Sequence, residues 1–152
     1  MSFHNNELEG IRLSKENWEV RADRARLFEV ISNLLRNVAK FTTDEGSIAV
    51  IVRKVRLNQL ENDIVLNENQ NDAIGVQLSI VDTGSEKDQE ILPRMFSKFT
   101  TKSETGTGLG LYISKSIIKA HSGRIWAENN KNKVGARVTF VIPTGIEHRT
   151  TK

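Results

Sequence analysis

A chain of 152 residues with 38% hydrophobic and 27% charged side chains has the size and composition of one soluble globular domain, long enough to bury roughly two-thirds of its unfolded surface. It has no cysteine, which excludes disulfides and thiolate metal sites, and its three histidines, His4, His121 and His148, lack metal-ligand spacing. The formal charge of +3 is spread among acidic residues rather than gathered in a stripe, and no helix-turn-helix or aromatic base platform accompanies it, so nucleic acid is not an expected partner.

Residues 1–10 are a polar lead-in, and "IRLSKENWEVRAD" then predicts short extended segments. Asp23 is a good helix N-cap. It precedes a helix whose apolar residues Leu27, Val30, Ile31, Leu34, Leu35, Val38 and Phe41 share one broad face. "TTDEG" ends that helix, and alternation from Ile48 to Leu57 predicts a half-buried strand. A polar excursion, "NQLENDIVLNENQND", separates it from a second strand starting at Ile74. "SEKDQEILPRMFSKF" predicts one or two short helical turns interrupted at Pro93, followed by a lid-like "TTKSETG". A glycine-started helix follows, with Leu109, Ile113, Ile117 and Ala120 at helical spacing and a stop at Lys119, His121 and Gly123. "GRIWAENN" and "ARVTFVIP" form a closing hairpin around "KNKVG", and residues 144–152 are a polar tail. This order predicts an α+β, two-layer sandwich over residues 11–143, with a mixed, mostly antiparallel sheet of about five strands covered on one face by about three helices. No apolar run reaches the roughly 18 residues of a membrane span and no basic-then-apolar leader opens the chain, so a cytoplasmic location without membrane contact is expected.

Three constellations carry chemistry. The run "TGTGLGLY" places Gly106, Gly108 and Gly110 at a helix start, where unpaired N–H groups and the positive helix end attract phosphate; a tight turn before close helix packing would use the same glycines. On the first long helix, Asn33, Asn37 and Lys40 fall four and three residues apart and share one polar face. Amide oxygens suit Mg²⁺ and an ammonium suits phosphate, although a solvated helix face has the same spacing. Asp82, emerging from the apolar strand "LSIVDTG" ahead of Gly84, can accept from an exocyclic amine such as that of adenine; a strand-ending turn is the bland alternative.

Taken in order, "NLLRNVAKFT", "DTG", "RMFSKF" and "GTGLGLYISKSIIKAHSGRIWAEN" resemble the N, G1, F and G2 boxes of the ATP-binding catalytic domain of sensor histidine kinases. The resemblance runs from about Ile11 to Pro143 and implies the sandwich shared with gyrase-type and chaperone ATPases. It implies that Asn37 coordinates Mg²⁺ with Asn33 supporting it, that Lys40 contacts phosphate, and that Phe41 stands where a tyrosine usually lies beside the adenine. Asp82 would read the adenine amine with help from Thr139. Gly106, Thr107, Gly108, Leu109 and Gly110 would bring backbone N–H groups to the phosphates. Phe96 and Phe99 would anchor the lid, and Lys102 would be a lid cation or a solvated loop charge. One departure stands out: in "DTGSEKD", Glu86 takes the second glycine of the G1 box and Lys87 the apolar residue after it, which is expected to weaken nucleotide binding.

The hydrolytic relatives carry a glutamate base at the position of Asn33, and an amide cannot take a proton from water. Phosphoryl transfer to an outside nucleophile is therefore expected. No histidine here has the setting of the family's phosphoacceptor, so the resemblance implies a partner dimerisation domain bearing that histidine, and a response regulator indirectly. The chain by itself is expected to be monomeric. Two rival readings are a degenerate nucleotide-sensing or docking module and an anti-sigma-type serine kinase.

Overall fold

The structure, a computed structural model, describes residues 20–60, 73–84, 90–99, 107–131 and 134–144. Helix α1 spans Arg24–Phe41, β1 Ile48–Arg56, β2 Ile74–Asp82, α2 Gly110–Ala120, β3 Arg124–Asn129 and β4 Ala136–Pro143, with single 3₁₀ turns at Leu57–Gln59 and Leu92–Arg94. The strands form one sheet in the order β1-β2-β4-β3, and every neighbouring pair is antiparallel.

Asp23 caps α1 as its residue type predicts, its side chain accepting from the Arg26 N–H at 3.1 Å. The apolar stripe then buries Val30, Leu34 and Val38 completely or nearly so. On the sheet, Leu78 and Ile80 of β2, Val138, Phe140 and Ile142 of β4, and Ile125 and Ala127 of β3 alternate onto one face. That face meets Val30, Leu34 and Val38 of α1 and Ile117 and Ile118 of α2, with Met95 and Phe96 closing the same core. Burying this face removes apolar area from water at about 25 cal/mol per Å², which is what holds two helices on a four-stranded sheet.

A histidine joins the far ends of the two helices. The Asp23 N–H donates to His121 Nε2 at 3.0 Å, while His121 Nδ1 lies 2.8 Å from the Ile117 carbonyl oxygen. A ring nitrogen that accepts cannot carry the proton, so the proton sits on Nδ1 and donates to Ile117. The start of α1 is thereby tied to the end of α2.

Three expectations need correction. Among the described residues the fold has four strands and two α-helices, fewer than expected. Among the described residues the sheet is antiparallel throughout rather than mixed, each strand pairing with its neighbour through a reversal. The expected extended segments of "IRLSKENWEVRAD" lie largely outside the described residues, and of the one or two short helical turns expected around Pro93 one is present, the 3₁₀ turn Leu92–Arg94, with the proline in its first turn where no N–H donor is needed. Finally, β1 is not half-buried: Ile48, Val50 and Val52 are 37%, 39% and 44% exposed. Helix α1 packs over β2 and α2 over β3 and β4, leaving β1 at the sheet edge beyond them.

Candidate functional site

The polar face of α1 and the start of α2 meet. Asn33 Nδ2 lies 3.5 Å from the Gly110 carbonyl oxygen, and Ser114 Oγ donates to the same oxygen at 2.9 Å. One turn further along α1, Asn37 is half-buried and its side chain makes no hydrogen bond among the described residues. Lys40, in the last turn, is exposed and adds positive charge where the helix carbonyls concentrate negative charge. The amide of Asn37 is therefore free to act as a hard oxygen ligand, and the ammonium of Lys40 is free to meet an anion.

Helix α2 has no side-chain cap at Leu109, so among the described residues the N–H groups of its first turn stay open. Ahead of it Gly108 has φ 68°, a left-handed conformation that glycine adopts without strain, and its carbonyl accepts from the Phe99 N–H at 3.0 Å. Phe99 is itself left-handed, with φ 59°, and its ring is 72% exposed, whereas Phe96 is buried in the core. Thr107 Oγ1 accepts weakly from the Leu109 N–H at 3.4 Å, and Lys98 sits 4.9 Å above the Tyr112 ring. Gly110 is helical and a Cβ there would have Asn33 as its nearest neighbour at 3.9 Å, so neither strain nor packing requires glycine at that position.

Asp82 ends β2 on the helix-facing side of the sheet and is 3% exposed. One carboxylate oxygen accepts from the Gly84 N–H at 2.8 Å, and among the described residues the other accepts nothing. Gly84 presses against the C-terminal end of α1: a Cβ there would lie 2.4 Å from the Phe41 carbonyl oxygen. Phe41 is 41% exposed beside it. Thr83 fastens this turn to the strand next door, its N–H donating to the Ser47 oxygen at 3.1 Å and its Oγ1 accepting from the Ser47 N–H at 2.9 Å.

The structure therefore brings together Asn33 with Gly110, and Asp82 and Gly84 with Phe41. It does not bring Thr139 to Asp82. Thr139 lies between Val138 and Phe140, both core-facing, so it points to the opposite face of the sheet, where it is buried and its hydroxyl lies 2.9 Å from that of Ser79. Lys102, Gly106, Glu86 and Lys87 fall outside the described residues. Sequence reasoning missed Asn130 and Gly135, which contact the backbone of Asp82; the turn glycine was visible in "KNKVG", but nothing in the sequence tied it to β2.

A family model described as histidine kinase-, DNA gyrase B- and HSP90-like ATPase matches residues 22–146. The chain belongs to this family. The domain it carries is the ATP-binding catalytic module found in histidine kinases. It is 34% identical over 129 residues to sensor protein FixL of Bradyrhizobium diazoefficiens, covering 85% of this chain and 23% of that protein. It is 34% identical over 124 residues to sensor histidine kinase TrcS of Mycobacterium tuberculosis, covering 78% and 22%. The domain thus spans less than a quarter of the length of these relatives. Among solved structures, the catalytic domain of histidine kinase ThkA in a nucleotide-free form matches with a TM-score of 0.62 at 32% identity, over 82% of this chain and 70% of that one. The mycobacterial sensor histidine kinase MprB matches with a TM-score of 0.66 over 83% and 77%, at 22% identity, a likeness of fold. ThkA has also been crystallised with the response regulator protein TrrA. No helix among the described residues is long and apolar enough to cross a membrane.

Proposed function

We propose that this domain binds ATP with Mg²⁺ and transfers the γ-phosphoryl group to a histidine on a dimerisation domain outside the chain, with a response regulator as the later recipient. The observation that carries the reading is the meeting of Asn33 with Gly110, which puts the amide face of α1 beside the open N–H groups of α2. An anion held by those N–H groups would face the same side of α1 that carries Asn37 one turn on and Lys40 about two turns on from Asn33. Asp82, buried beside the C-terminal end of α1, offers one carboxylate oxygen unengaged among the described residues and suited to the adenine amine, with Phe41 alongside as an apolar wall.

The donor set fits Mg²⁺, which keeps most of its waters and takes one or two protein oxygens together with substrate phosphates. Among the described residues no group of three or more His, Cys, Asp or Glu forms a protein-built cage, while Asn37 supplies a single amide oxygen. When bound, the ion would neutralise charge on the phosphates. In the transfer, the histidine nitrogen forms the N–P bond as the bond from Pγ to the bridging oxygen breaks, ADP leaves, and the imidazole proton passes to solvent.

Hydrolysis is disfavoured by the same residues. Asn33 has no basic oxygen for a water proton, and Glu29, one turn earlier, is engaged by Arg26 at 3.1 Å. The chain is expected to sediment as a monomer and to act in the cytoplasm. The test is incubation of the domain with γ-labelled ATP and a histidine-bearing dimerisation domain. Acid-labile label on that partner supports the reading. Acid-stable label would point to serine phosphorylation, and binding of ATP without label transfer to a docking module; either outcome overturns it.

A further inference from the structure

The end of β2 is braced from a direction the mechanism does not use. Asn130, the first residue after β3, donates through Nδ2 to the Asp82 carbonyl oxygen at 3.0 Å and to the Val134 oxygen at 3.4 Å, while its own N–H donates to the Gly135 oxygen at 3.0 Å. Gly135, at φ 111°, lies so close that a Cβ there would be 2.0 Å from the same Asp82 oxygen. Regular pairing between β2 and β4 stops at Val81 and Arg137, one residue short of Asp82. The Asn130 amide therefore takes the place of the ladder bond that β4 does not supply.

The orientation of that amide is determined by its neighbours. Two carbonyl oxygens face Nδ2, so turning the amide over would set oxygen against oxygen. The consequence is an Oδ1 that is buried and, among the described residues, accepts no hydrogen bond. A buried acceptor without a partner is unfavourable, and it persists here because the nitrogen is held by Asp82.

We propose that Asn130 is a positioning residue for base recognition: it holds the backbone of Asp82 so that the unengaged carboxylate oxygen stays aimed at the adenine amine. The inference rests on the reading of Asp82 given above. The brace is three-sided, since Thr83 is bonded to Ser47 and Gly84 abuts the Phe41 carbonyl oxygen. Of the three, Asn130 alone bonds the Asp82 carbonyl oxygen, and it does so through a side chain that a nearly isosteric one can replace.

The experiment compares binding of a non-hydrolysable ATP analogue with that of the same analogue lacking the 6-amino group, a purine riboside triphosphate, by calorimetry. The wild-type domain should prefer the amine-bearing ligand about tenfold or more, and Asp82→Ala should abolish that preference. Asn130→Asp, which replaces the donor with an acceptor, should cut the preference severalfold while leaving affinity for the amine-free ligand within about twofold. A structural role alone would weaken both ligands equally and leave the ratio unchanged, and that result overturns the inference. If Asn130→Asp does not fold, Asn130→Ser, too short to reach the Asp82 oxygen, answers the same question. Absence of any preference in the wild type would instead refute the reading of Asp82 itself, and the role of Asn130 with it.

Discussion

Replacing Gly110 with alanine adds one methyl group at the first residue of α2, and the structure separates what that does to stability from what it does to binding. The residue is helical, and the nearest atom to the new Cβ would be in Asn33 at 3.9 Å, an ordinary contact. Alanine is favoured over glycine within a helix by about 0.5–1 kcal/mol, so the variant should be as stable as the wild type or more so. For a domain of this size that corresponds to a rise in melting temperature of up to about 4 °C. Binding should move the other way. A phosphate drawn onto the open N–H groups of the first turn must approach bare backbone, and a methyl there holds it off. Loss of one charge-assisted hydrogen bond, at about 1.5–3 kcal/mol, weakens ATP roughly tenfold to a hundredfold. Thermal denaturation without ligand and titration with an ATP analogue decide the matter. A variant that gains stability and keeps full affinity would show that the glycine does not serve phosphate. A fall of several degrees would show that the contact at the Asn33 side is tighter than the structure has it.

Thr139→Val should leave nucleotide affinity within about twofold but cost roughly 1–3 kcal/mol in urea unfolding, because the buried Ser79 hydroxyl loses its bond to Thr139 and keeps only the longer contact from Gln77 Nε2 at 3.4 Å. Adding Ser79→Ala to that variant should recover part of the loss, since the apolar pair needs no hydrogen bond and only the long contact from Gln77 Nε2 is given up. Asp82→Asn retains an acceptor for the Gly84 N–H yet can present a donor to the adenine amine; calorimetry should show at least about tenfold weaker ATP binding with little change in melting temperature. Leu34→Ala, at a fully buried position, should cost about 2–5 kcal/mol in equilibrium unfolding. His121→Ala should cost about 1 kcal/mol by the same measurement, through loss of the bond from the Asp23 N–H.

Helix α1 was legible because two signals agree: an N-cap at Asp23 and a wide apolar stripe that the fold buries at Val30, Leu34 and Val38. The strands were legible by alternation. What alternation cannot supply is register. Thr139 and Asp82 stand on different strands, and whether they share a face depends on which residues pair; a slip of one residue would reverse the answer. The pairing of Thr139 with Ser79 sends it away from Asp82. The exposure of β1 was equally hidden, because alternating residues imply a covered face only if a helix reaches it. At the end of α2 the left-handed residue is Ser122, with φ 58°, one position before the glycine that the sequence offers as the stop. Asn130 left no local trace at all: its partner is 48 residues away, and only the finished sheet brings them together.

The two ends of the site are built differently, and the difference bears on the reaction. At the end proposed to hold the base, Asp82 is buried and its turn is gripped by Ser47, Asn130 and the Phe41 carbonyl, an arrangement suited to discrimination. At the phosphate end, the described residues offer an exposed lysine, a free amide and the uncapped start of α2, with Phe99 and Gly108 joined by one backbone bond. Such groups attract and orient a triphosphate but do not generate a nucleophile from water. In the proposed reading, a site that grips the base firmly and, among the described residues, sets no proton acceptor beside the γ-phosphate holds ATP without consuming it. On that reading its turnover is then set by the arrival of a histidine from another domain, so that docking, rather than the nucleotide, decides when the phosphoryl group moves.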